Sequence, residues 1–251
     1  MAGNTLHTWF DTTLGRYLLD KEREYLDEVT PDIFGFHALQ LGLAEIDFLR
    51  ASRIAHRVRV APEGAADLRA TSHELPFASQ SIDLALLPHV LEFTPEAHAV
   101  LREVDRVMMP EGRIVIVGFN PWSLWGLRSA IGPARNDFPW NGRFVSLPRV
   151  KDWLGLLGFD VSAGRLIGYA PPFDSERWRR RFGFMEPAGD RWWAVGGGVY
   201  ILQAIKRVRG MRLIMPAWQE AATREKQRLA AAAKRTGTGA TRDSAHLRIV
   251  K

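Results

Sequence analysis

The chain has 251 residues, 46% of them hydrophobic, which suits one large α/β core better than two small domains. It has no cysteine, which excludes disulfides and thiolate metal sites; it shows no metal-ligand spacing and no N-terminal apolar run long enough for a signal peptide or membrane span, so a cytoplasmic protein is expected. The net charge of +6 hides a split: residues 203–251 carry 12 Lys and Arg against 3 Asp and Glu, while residues 1–202 carry 22 against 25.

Leu14, Leu18, Tyr25 and Val29 share one face of a helix predicted over 13–28, ended before Pro31 and expected to pack over the open edge of a site. Residues 37–42 (HALQLG) read as the first central strand, and a helix is predicted to begin over 45–51. Residues 57–61 alternate like a strand, Pro62-Glu63-Gly64-Ala65 turns the chain, and 67–71 leads directly to Leu75-Pro76-Phe77. A parallel crossover takes a dozen or more residues, so 56–72 is expected to form an antiparallel hairpin or a truncated edge with no helix between.

The next stretch is the most ordered in the sequence. Residues 82–87 form an apolar run suited to a strand buried on both faces. Ala97, Leu101, Val104 and Val107 recur at helical spacing, Met109-Pro110-Glu111-Gly112 supplies a stop, and 114–119 is a second buried run. This is a right-handed strand–helix–strand crossover in a parallel sheet. An aromatic loop follows over 120–125, in which Trp122, Leu124, Trp125 and Leu127 form either an apolar lid or ordinary core, and then a polar stretch to Leu147. A helix over 150–157 closed by Gly158 and strands over 159–167 and 198–205 complete the domain. Between those strands lies an insert, 174–193, in which Arg177, Arg179, Arg180 and Arg181 interleave with Trp178 and Phe182, near Trp192 and Trp193. Asp174 is its candidate N-cap. Such a cluster suits weak contact with nucleic acid or an anionic surface, or is a solvated helix face. The basic tail, 211–251, reads as a helix over 216–235 and then a disordered end over 236–251.

Leu75-Pro76-Phe77, then Ser81-Ile82-Asp83-Leu84, then Leu101-Arg102-Glu103 with Arg106-Val107, then Pro110-Glu111-Gly112, resemble the central part of the type 11 group of class I S-adenosylmethionine-dependent methyltransferases. Glu111 stands where that group has a second glycine. The resemblance implies a Rossmann-like, mostly parallel sheet over 1–210 with helices on both faces, an antiparallel last strand and a truncated second crossover. It also implies S-adenosylmethionine as cofactor, held where strand order reverses.

Carried onto this chain, the family's glycine-rich turn falls on Gln40, Leu41 and Gly42, with Ala44 in place of a second glycine and Gln40 in place of an acid. Glu63 falls near the ribose position, Thr71, Ser72 and His73 on the adenine side, and Pro88 after the fourth strand. His89, beside it, is either a proton acceptor or a structural histidine. Gly42→Val is expected to abolish cofactor binding with little loss of stability. The function implied is methyl transfer to an unidentified acceptor; the alternative is a non-catalytic binding module that has lost the cofactor, with a nucleic-acid association.

Overall fold

The computed structural model describes residues 6–131, 137–173, 185 and 196–208. Their strands are β1 (His37–Leu41), β2 (His56–Ala61), β3 (Leu68–Arg69), β4 (Ile82–Pro88), β5 (Met108–Phe119), β6 (Phe159–Ile167) and β7 (Val199–Lys206). They form one sheet in the order β3-β2-β1-β4-β5-β7-β6. The first five pair in parallel, with Ala38 opposite Leu84 and Ala85 opposite Ile114 as the central registers. β7 runs antiparallel to both β5 and β6. The chain divides into Met1–Val208 and Arg209–Lys251. The second unit, and the Arg177, Arg179, Arg180 and Arg181 cluster of the insert, lie outside the described residues.

Successive side chains of the central strands feed two cores, as the period of a strand requires. Ala38, Leu84, Leu86, Val115 and Val117 face one side, where α1 (Leu6–Phe10) and α2 (Thr13–Val29) pack. Leu39, Leu41, Ala85, Leu87, Ile114 and Ile116 face the other, covered by α4 (Ala97–Val107) and α6 (Leu147–Leu156) after the single-turn α3 (Val90–Phe93). In α4 Ala97 and the residues at i+3, i+4 and i+7 from it, Val100, Leu101 and Val104, are buried, so its stripe meets the sheet. α2 opens on a Thr12 hydroxyl that accepts the Gly15 N–H at 3.0 Å.

The residues that carry the resemblance have a mechanical role. The Arg106 guanidinium donates to the carbonyls of Leu75 and Phe77, to the Ser79 hydroxyl and to both carboxylate oxygens of Glu103, while Glu103 accepts the Leu75 N–H at 2.8 Å. One ion pair on α4 thus holds the loop that feeds β4. The Arg106 hydrogen bond is the main reason the Glu103 carboxyl sits below its usual range. Glu111, in the family's glycine position, has φ +63°, so the left-handed backbone persists without the glycine. The turn it makes lies inside β5, where the pairing to β4 slips between Ile82 and Leu84.

Three expectations are corrected. β3 is parallel to β2, with Val60 opposite Leu68 and Ala61 opposite Arg69, so 56–72 is not a hairpin. The crossover is truncated as expected: β3 is two residues long, so the chain must return by only that distance and a tight loop suffices. The Asp67 carboxylate fixes this loop by accepting the Arg59 N–H at 2.9 Å and its guanidinium at 2.8 Å.

Residues 43–55 hold no helix. Side chains capture their backbone instead: Gln40 binds three groups of the loop besides the Gly42 carbonyl, Asp47 accepts the Leu49 N–H, and Ser52 accepts the Ile54 N–H. Such local bonds compete with a helical ladder, and Ile46, Phe48, Leu49 and Ile54 still reach the core. The stretch after the aromatic loop, by contrast, begins with a helix, α5 (Leu124–Ile131). Trp125 on it is fully buried and donates its indole N–H to Ala170 O at 3.0 Å, whereas Trp122 and Leu127 are exposed.

Candidate functional site at the carboxyl ends of the parallel strands

Strand order reverses between β1 and β4, so the loops after these two strands part and leave the crevice where ligands of open α/β sheets bind. Gly42 continues β1 by donating to Val60 O at 2.7 Å, then turns with φ +83°. A Cβ placed there would stand 2.9 Å from Val90 Cγ2 and 3.9 Å from Pro88 O, so the turn brings Gly42 against the loop after β4. The glycine is demanded by its own backbone and by Val90, and Gly42→Val would strain the fold itself. The substitution therefore costs stability, contrary to the small loss expected from the sequence.

Gln40 and Leu41 are buried. Gln40 Nε2 donates to the carbonyls of Gly42, Leu43 and Ile46 at 3.2, 3.1 and 2.7 Å, and Oε1 accepts the Phe48 N–H at 3.0 Å. Its amide is committed to shaping the turn, which sets it apart from a cofactor ligand. A carboxylate, which only accepts, could not donate to these carbonyls, and this accounts for the amide where the family pattern has an acid.

Glu63, Thr71 and His73 are exposed and Ser72 is half-buried, all around the outer loops after β2 and β3; Pro88 is buried at the end of β4. Gly64 turns with φ +85°, and the exposed Glu45 carboxylate rests over it where a side chain would collide. Two carboxylates, Glu45 and Glu63, thus flank one glycine turn at the end of β2, an acceptor pair suited to sugar hydroxyls. The polar groups of this edge fit the nucleoside half of S-adenosylmethionine. Glu45 carried no signal in the sequence beyond its charge.

His89 lies deeper. Its φ of +54° is uncommon for a residue with a side chain, and it is held by a N–H bond to Val117 O at 2.9 Å. The ring is buried 4.4 Å from Phe119 and 6.1 Å from Phe10. Nε2 meets Glu22 Oε1 at 2.8 Å, and Nδ1 is 3.5 Å from Glu92 Oε1. Burial opposes the charge, but Glu22 by charge and hydrogen bond, with Glu92, outweighs it, and the pKa is pushed up to about 10.

At neutral pH this histidine is an enclosed imidazolium, with no lone pair to take a proton. The expectation of a proton acceptor gives way, on this geometry, to a buried cation between two acids. Glu92 also accepts the Phe119 N–H at 2.6 Å, joining β5 to the cluster. Burial and the Glu92 charge raise the Tyr200 hydroxyl well above its usual pKa.

Glu22 and Glu92 were legible only as anomalies: Glu22 interrupts an apolar stripe four residues after Leu18, and Glu92 follows His89 by three. Among the described residues no group of side chains could hold a metal ion, and no helix is long and apolar enough to cross a membrane.

Residues 41–116, from the end of β1 into β5, match a family model described as Methyltransferase domain. The uncharacterized protein YafS of Escherichia coli (strain K12) is 38% identical over 156 residues, covering 61% of this chain and 65% of that protein. The chain therefore spans just under two thirds of that relative's length. A SAM-dependent methyltransferase of Thermotoga maritima shares the fold with a TM-score of 0.62 at 18% identity, over 80% of this chain and 93% of that one. Geranyl diphosphate methyltransferase in complex with SAM does so at 0.53 and 12% identity, over 76% and 86%. With the family match running from β1 into β5 and the seven-stranded sheet in common with these neighbours, the chain has the fold of the class I S-adenosylmethionine-dependent methyltransferases.

Proposed function

We propose that this chain binds S-adenosylmethionine along the carboxyl ends of β1 to β4 and transfers its methyl group to an acceptor seated beyond β4 and β5. The observation that carries the proposal is the left-handed Gly42 turn, which lies against Pro88 and Val90 at the point where strand order reverses and where the family match begins. S-adenosylmethionine, when bound, supplies a methyl group already activated on sulfur.

The residues then bind and orient. Glu45 and Glu63 would accept the ribose hydroxyls, Thr71, Ser72 and His73 would line the adenine side, and the backbone at Leu41, Gly42 and Pro88 would border the methionine part. Gln40 shapes the turn from behind. His89 is a positioning residue, tying α2 to the loop after β4 through Glu22. With the acceptor aligned, proximity and orientation are the larger contributions to rate. We further propose residues 1–210 as the working domain, 211–251 as a basic tail, and a cytoplasmic location.

Calorimetric titration of the full chain with S-adenosylhomocysteine tests the proposal. A dissociation constant in the low micromolar range, weakened by Glu63→Gln or Glu45→Gln, supports it. No heat at millimolar ligand would leave the fold as a binding module without cofactor.

A further inference from the structure

A cavity of about 310 Å³ opens between the start of α4 and α6, with residues 143–145 as its third wall. Arg102, Arg143 and Arg149 all line it, against one acid, Glu96. Among the described residues no carboxylate lies within ion-pair distance of these three guanidiniums, whereas Arg50, Arg59 and Arg106 are each paired. The three guanidiniums are exposed and line one small cavity, an arrangement that favours a bound anion.

Trp153 forms an aromatic wall: the His98 ring centroid is 3.9 Å from its own and the Arg149 guanidinium carbon is 5.7 Å from it. At the mouth, α4 begins at Ala97 with no side-chain cap, so its first amide groups also favour negative charge there.

The cleft adjoins the crevice already described. Leu91 in its wall is two residues past His89, and Phe144 stacks on Phe119, the last residue of β5, at 4.8 Å and 15°. We propose that this cleft binds the anionic end of the methyl acceptor, a phosphate monoester carried on a flat apolar body. The phosphate would meet the arginines and the flat body Trp153 and Phe144. The identification as acceptor rests on the methyltransferase proposal; the anion site itself does not.

The test is calorimetry of the full chain with phenyl phosphate, inorganic phosphate, benzoate and phenol, each with and without S-adenosylhomocysteine. Phenyl phosphate should bind, inorganic phosphate and benzoate at least tenfold more weakly, and phenol without detectable heat. Arg102→Gln and Arg149→Gln should each weaken phenyl phosphate at least tenfold. Trp153→Leu should weaken phenyl phosphate more than inorganic phosphate, and none of the three should alter S-adenosylhomocysteine affinity or the thermal midpoint by more than a few degrees.

Unchanged phenyl phosphate affinity in a folded Arg102→Gln/Arg149→Gln double variant overturns the site, as does absence of binding to the wild type. Benzoate binding as tightly as phenyl phosphate overturns the phosphate assignment. Loss of S-adenosylhomocysteine binding alone, with phenyl phosphate retained, removes the methyl-donor proposal and leaves the anion cleft standing.

Discussion

Nε2 of His89 lies 2.8 Å from Oε1 of Glu22, and both side chains are fully buried. The pair joins residues 67 positions apart, one on the second helix and one at the end of the central strand. Burying a lone charge is costly, and the geometry offsets that cost only while both partners are present and ionised. The contact therefore makes the seating of α2 depend on a protonation state.

Stability should fall as pH rises from neutral. The His89 pKa is 6.5 ordinarily and about 10 in the fold, so its contribution is complete below pH 6.5, declines as pH climbs through that window and is gone above about 10. Glu22, Glu92 and the Tyr200 hydroxyl are the other titratable groups around it. A urea midpoint measured from pH 7 to 10 should drop, with a slope of at most about 1.4 kcal/mol per pH unit from this group. His89→Gln should flatten the profile; a flat wild-type profile would remove the charged pair from the account.

Glu22→Gln should cost about 3 kcal/mol, because it leaves the imidazolium buried with only Glu92 beside it. A double-mutant cycle with His89→Asn should show the double variant losing less than the sum of the singles. Strict additivity in urea unfolding would show that the two groups do not interact.

Gln40→Glu restores the acid of the family pattern and should nevertheless destabilise the protein by about 3 kcal/mol. A carboxylate would face the three carbonyls that Nε2 now serves. Hydrogen exchange across residues 42–48 should accelerate with it. A stable Gln40→Glu variant with unchanged exchange would contradict the role given to the amide.

Gly42→Ala should cost about 1–2 kcal/mol through its φ of +83°. Contact of the new Cβ with Val90 adds to this. Val90→Ala in the same chain should recover the contact part but not the backbone part. Thermal unfolding of the two singles and the double separates them.

The crossover from β4 through α4 to β5 was legible because its signals are local. Two apolar runs and a helical stripe can each be satisfied only by buried strands and a helix packed against them, so their parallel pairing followed. β7 and α2 carry the same kind of local signal, α2 through Leu14, Leu18 and Tyr25; β6, at the edge of the sheet, is buried only at Phe159 and Ile167. Residues 43–55 misled because their composition suits a helix, while the buried amide of Gln40 takes the carbonyls a helix would use.

β3 misled for a related reason: the length needed by a crossover depends on how far the partner strand extends, and β3 extends only two residues. His89 could be placed at the end of β4 from sequence, but its chemistry could not. Its charge is set by Glu22 and Glu92, brought together by the packing of α2 on the sheet. Spacing along a chain reports on periodic burial; the protonation of a buried group depends on which distant charges the fold sets beside it.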